Sequence, residues 1–237
     1  MNKIRKTGAA IISLILAMAM LAGCAGGGNA GGSSAAASSA AASSAAPKQI
    51  SASDFVLGYH RYLCTGDQKI IEEIKLPADL TKELDEARAK FDNITELVKE
   101  SLDADVSNLI DEKALKNFMD AMTGVLAKVK ATAEESANGD VVTVKLSSDT
   151  VDFATIGQTA IVGALSGIDL NGGEEALKKA MQKIFDAFAD GLNKYEFPKE
   201  KKSCTVEVKK SGDSWTFVDA DKATTDITSL VLDTSFQ

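Results

Sequence analysis

Two short turn signals constrain this chain more than anything else in it. Asn138-Gly139 lies between Val129, Ala131, Ala133 on one side and Val142, Val144, Leu146 on the other, each run alternating with polar residues. Ser211-Gly212-Asp213 lies between Cys204, Val206, Val208 and the return run Trp215, Phe217, Val218. Period-two alternation puts the apolar side chains on one face of a strand. An Asn-Gly pair tolerates positive φ at both central positions of a tight hairpin. The competing reading of the first signal is a helix continuing through Lys130, but the change of period favours a hairpin. Two hairpins separated by helical sequence predict an α+β fold, with an antiparallel sheet packed against helices.

The helical segments follow from spacing and caps. Ser53 and Asp54 are placed to open a first helix carrying Phe55, Val56, Tyr59 and Leu63, with Thr65-Gly66-Asp67 ending it. After Pro77, Leu80, Leu84, Ala87, Phe91, Ile94 and Val98 recur at three and four residues and form one apolar seam. A third helix begins near Asp111, carries Leu115, Phe118, Met119 and Met122, and ends near Gly124. Phe153 to Ile168 reads as a buried helix in which Gly163 and Gly167 allow a close approach. The clearest helix places Leu177, Ala180, Met181, Ile184, Phe185, Phe188 and Leu192 on one face and Lys178, Lys179, Lys183, Asp186 and Asp190 on the other.

The first 49 residues are of a different kind. Lys3, Arg5 and Lys6 head an apolar run from Ala9 to Ala22, too short to span a bilayer comfortably, with small residues before Cys24. This is the layout of a secretory signal peptide. Residues 25–46 contain only Ala, Ser, Gly and Asn29, and nothing there can offset the entropy of ordering. The division is therefore a signal peptide over 1–23, a flexible tether over 24–49 and one α+β domain over 50–237. A tether of that length has a root-mean-square span of roughly 25–30 Å. Removing the leader makes a net charge of −8 more negative by three. Spread acidity argues against nucleic acid as a partner and against the domain lying on anionic lipid.

The ending Leu21-Ala22-Gly23-Cys24 resembles the lipobox of bacterial lipoproteins. The resemblance implies cleavage between Gly23 and Cys24, lipidation of the Cys24 sulfur, palmitate-type acyl chains and anchoring on the extracytoplasmic face of the cell membrane. At least two chains are implied, and one alone would hold only marginally, at roughly 0.8 kcal/mol per buried methylene. The run Thr205-Val206-Glu207-Val208-Lys209-Lys210-Ser211-Gly212-Asp213-Ser214-Trp215-Thr216-Phe217 resembles the closing hairpin of cystatin-like, nuclear-transport-factor-like cone folds. Tyr59-His60-Arg61-Tyr62-Leu63-Cys64-Thr65-Gly66-Asp67 is similar to the first helix of that fold. The group includes uncharacterised lipoproteins of clostridial-type Gram-positive bacteria. The resemblance implies a cone-like sheet with extra helices on the N-terminal side.

Chemistry-bearing motifs are scarce. His60 is the only histidine, and with Cys64 it shares a helix face at i,i+4. Two such residues do not make a zinc site. Cys64 and Cys204 remain once Cys24 is lipidated; outside the cytoplasm they can pair, or stay as two buried thiols. No GxSxG, HExxH, CxxC or Walker loop occurs in the folded region, so no catalytic residue, metal or cofactor is assigned. The acidic runs Asp103, Asp105, Asp111 and Asp219, Asp221, Asp226 lack EF-hand spacing and read as solvated loops. Two functions stay open. One is a module binding a small ligand or peptide in a pocket lined by Phe153, Phe188 and Trp215. The other is a cell-envelope scaffold that meets a protein through an exposed apolar patch.

Overall fold

In the computed structural model the described residues are 50–78, 80–82, 84, 85, 110–138, 140–166 and 173–234. The chain runs α1 (Ala52–Thr65), α2 (Gln68–Ile74), α3 (Glu112–Leu126), β1 (Ala131–Asn138), β2 (Val141–Ser148), β3 (Val151–Asp152), α4 (Phe153–Leu165), α5 (Gly173–Asn193), β4 (Lys202–Ser211), β5 (Ser214–Phe217), α6 (Ala220–Val231) and β6 (Leu232–Asp233). Residues 78, 80–82, 84 and 85 are also helical, and Leu80 and Leu84 are buried. The remainder of that seam, Ala87 to Val98, lies outside the described residues, as do Asp103, Asp105 and Gly167.

Both hairpins form. Their strands join into one antiparallel sheet of order β1-β2-β4-β5. Val142, Val144 and Leu146 of β2 lie opposite Val208, Val206 and Cys204 of β4, so the apolar positions of both strands share a face. Gly212 has a φ of 62° and opens the two-residue loop between β4 and β5, where a side chain would be strained. Helix α3 stops at Leu126 and β1 starts at Ala131, which decides against helical continuation. The fold is thus α+β, an antiparallel sheet of two hairpins packed against helices. Helices α2 and α3 stand between α1 and the sheet in sequence.

Helix starts use short oxygen-bearing side chains to satisfy free N–H groups. The cap of α1 is Ser51, which accepts from the Asp54 amide, two residues before the Ser53 start read from sequence. Asp111, Asp152 and Asp219 do the same for α3, α4 and α6. The expected acidic loop of Asp219, Asp221 and Asp226 is therefore corrected to a capped helix. Its Ala223, Ile227 and Leu230 are buried against the sheet side, and Val231 against the helical side.

The core has two parts. On the sheet side, Phe55 and Tyr59 of α1 pack on Phe217 of β5 with ring centroids 4.7 and 5.0 Å apart. On the helical side, Phe118, Phe153, Phe185 and Phe188 of α3, α4 and α5 form a second aromatic group. Between them runs Ser148-Asp149-Thr150-Val151, four consecutive buried residues. Thr150 Oγ1 donates to the Leu230 carbonyl at 2.8 Å. The Tyr195 hydroxyl donates to the Thr150 carbonyl at 3.0 Å and accepts from the Asp152 amide at 2.9 Å. Val151 pairs in parallel with Leu232, a two-residue ladder absent from the sequence reading.

Close backbone approach occurs at glycines other than those expected. A Cβ on Gly163 would meet nothing within 4 Å, whereas one on Gly58 would sit 2.3 Å from Ile74 Cγ2, across the α1–α2 contact. Gly58→Ala should therefore destabilise the domain by roughly 1–3 kcal/mol through overpacking. Gly163→Ala, in an open helical position, should stabilise it by roughly 0.5–1 kcal/mol. Urea unfolding of the two variants beside the parent checks both signs.

Candidate functional site

The residues singled out in the sequence do not converge. Gly23 and Cys24 lie outside the described residues. Phe153 and Phe188 face each other at 5.2 Å in the helical half, while Trp215 belongs to the sheet half. The expected pocket lined by all three is corrected: the two phenylalanines are buried packing, and Trp215 is a clamp. Its Nε1 donates to the Ile50 carbonyl at 2.8 Å, and Lys210 Nζ lies 5.0 Å from its ring centroid. This bond fixes Ile50 to β5.

Cys64 and Cys204 do not pair. Both are free thiols, Cys64 within the helical cluster and Cys204 packed against the sheet cluster. Burial pushes the Cys64 thiol up to about 12 and the Cys204 thiol up to about 11, the latter helped by Asp226. Neither forms thiolate readily near neutral pH, which makes both poor nucleophiles. Denatured, unreduced mature protein should therefore take up thiol reagent at both positions, while native protein should react slowly. Mass spectrometry of the alkylated protein reads both.

His60 is 1% exposed. Its Nε2 lies 2.9 Å from Ser148 Oγ, and that hydroxyl donates its single hydrogen to the Asp149 carbonyl at 2.8 Å. Nε2 must then carry the proton and donate to Ser148, leaving Nδ1 as a bare lone pair. Nδ1 is buried without a partner. Desolvation, reinforced by Lys201 and opposed by Asp149, lowers His60 to about 4. A second proton would have to enter at Nδ1, where no acceptor waits. Among the described residues no group of three or more His, Cys, Asp or Glu side chains could hold a metal ion. Sealed in this way, His60 cannot reach a substrate proton as a general base must. Its role is to tie α1 to the end of β2.

The sign of its pH effect follows. Unfolded His60 takes up a proton below 6.5, whereas the folded residue does so only near 4. Between those values the unfolded chain binds more protons, so this contribution is complete above 6.5 and is lost as pH falls toward 4. The shift corresponds to about 3 kcal/mol. Denaturant melts from pH 7 to 4 should show this loss, and His60→Gln, which keeps a donor but cannot titrate, should flatten the slope.

A surface groove of about 270 Å³ lies where β5 ends and α6 begins. Thr205 and Glu207 of β4, Val218 after β5, the cap Asp219, and Lys222 and Asp226 of α6 line it. Val218 is 44% exposed, one of three large apolar side chains left so among the described residues, with Val162 and Leu165. Lys222 Nζ donates to Asp226 Oδ2, so one carboxylate is already matched. Asp219 is engaged as a helix cap, and Glu207 is exposed. These residues escaped the sequence reading because α6 was taken as a loop. The available signals were Asp219 at a cap position, Lys222 and Asp226 at i,i+4, and Ala223, Ile227 and Leu230 at helical spacing.

No protein-family model matches the chain, and no curated protein matches it. Among solved structures it is similar to a "putative lipoprotein (ycdA)" of Bacillus subtilis subsp. subtilis str. 168, with 18% identity and a TM-score of 0.43. The match covers 66% of this chain and 51% of that one, so this chain aligns with about half the length of the Bacillus protein.

Proposed function

We propose that this chain is a lipid-anchored extracytoplasmic lipoprotein whose folded domain is a non-enzymatic binding module. The basic and apolar leader ending in Leu21-Ala22-Gly23-Cys24 carries the reading. Cys24 would hold the acyl chains, residues 25–49 would act as a leash, and the domain from Ile50 onward would meet its ligand away from the lipid. Among the described residues no helix is long and apolar enough to cross a membrane, so a lipid on Cys24 would supply the anchor.

In this reading the binding surface is on the outside of the domain. Ring-to-ring packing of Phe118, Phe153 and Phe188 at 5.2–6.2 Å fills the region where an aromatic-lined cavity was expected. A ligand or peptide is favoured over a broad scaffold contact. Among the described residues the large exposed apolar side chains are three, the neighbours Val162 and Leu165 on α4 and Val218 at the β5–α6 junction, too few for the broad apolar patch that a scaffold face needs.

Expression of the full precursor with and without Cys24→Ala tests the anchor. The parent should incorporate labelled fatty acid and sediment with membranes. The variant should lose the label and leave the membrane fraction or accumulate as uncleaved precursor. A variant that is still processed and still membrane-bound would overturn the lipoprotein assignment.

A further inference from the structure

We propose that the unpaired edge of β4, flanked by α6, captures an extended peptide bearing a lysine or arginine, which adds as a strand beside Ser203–Glu207. This deepens the surface-binding reading above and rests on it.

The edge is defined by register. Strand β4 spans ten residues, but β5 pairs only with Val208 to Ser211, and the pairing ends at the Val218 amide donating to the Glu207 carbonyl at 2.9 Å. In an antiparallel ladder a residue directs both main-chain groups to the same side, and neighbours alternate. Glu207 faces β5, so Thr205 and Ser203 present their N–H and C=O groups on that same side. Beyond Val218 the chain turns into α6, whose own backbone bonds are internal. Among the described residues β2 pairs with this end of β4 on one side and no strand pairs with it on the other. Such a row of main-chain donors and acceptors is a template for an added strand.

The groove beside it selects the occupant. At about 270 Å³ it falls below the roughly 300–1,000 Å³ of small-molecule pockets. It suits one or two side chains of a longer ligand better than a whole small molecule. Three carboxylates, Glu207, Asp219 and Asp226, surround one ammonium, Lys222, and Lys222 is already paired. The surplus is negative and complements a cationic side chain. Val218 offers the apolar wall along which the stem of a lysine or arginine can lie. Main-chain bonds to Ser203 and Thr205 would supply affinity, and the groove would supply selectivity for the basic residue.

A heptapeptide phage library panned on the full mature protein, followed by titration of the enriched peptides, tests this. Enriched peptides should carry a lysine or arginine within an alternating, β-prone sequence. Thr205→Pro removes a donor on the free edge while sparing the β2 ladder, and it should weaken binding tenfold or more. Glu207→Lys should do the same by charge. Amide exchange provides a readout that needs no variant. In free protein the Thr205 amide should exchange far faster than those of Val206 and Val208, and saturating peptide should slow it. Enriched peptides that bind both variants as tightly as the parent and leave Thr205 exchange unchanged would overturn this site while leaving a binding module in place. If no peptide is enriched over the bare support, or acidic ones are, the inference falls. The Cys24→Ala fractionation reports on the anchor independently of either result.

Discussion

The fold depends on one buried polar seam, Ser148 to Asp152. Burying main-chain and side-chain polar groups costs free energy unless each finds a partner. Here nearly every one does, and each partner comes from a different element. Ser148 meets His60 of α1, and the Asp149 carboxylate accepts from the Lys130 amide at 3.0 Å while Lys201 approaches it at 3.5 Å. Thr150 reaches α6, and Tyr195 bridges Thr150 and Asp152 from the segment after α5. Five neighbouring residues thus hold the sheet half and the helical half in one register. Apolar packing alone is non-directional and would let the two halves slide.

That arrangement accounts for the fate of the histidine. A lone imidazole near a thiol invites a metal or catalytic reading, but the hydroxyl it meets has only one hydrogen, already committed to Asp149. The tautomer is fixed by a neighbour's bookkeeping of protons, and the unpartnered Nδ1 makes the charged form expensive. The same site that joins α1 to β2 is therefore one that acid loosens. Structure and pH response are a single property here.

What the sequence disclosed and what it withheld divide along physical lines. Local signals were legible: two turn sequences between alternating runs announced the β1–β2 and β4–β5 pairings, and the 3.6-residue stripe of Leu177 to Leu192 identified α5 with the correct buried face. Helix α2 is seven residues long and ends with Lys75 in a left-handed conformation at φ 49°, a position usually given to glycine or asparagine. Pro77, two residues on, marks that a helix must end nearby, but nothing in the composition announced the left-handed Lys75. Helix α6 was obscured because its cap, Asp219, looked like part of an acidic run. The aromatic pocket failed for a different reason: alternation and periodicity say which face is buried, not which buried faces meet. Phe153 and Trp215 each point inward, into different halves of the core.

Strand edges are where a sheet can offer main-chain groups to a partner. Strand β5 is four residues against ten in β4, and the sequence beyond Phe217 turns into a helix and not a longer strand. Proteins usually protect such an edge with a charge or a covering segment. Here Glu207 is the charged side chain beside the edge, and α6 flanks it without pairing. Trp215 draws Ile50 to β5 three residues before Val218. In the proposed reading the attachment point lies at this clamp and the groove is left to Glu207, Asp219 and Asp226. One short strand would then separate the anchoring and recognition ends of the same hairpin.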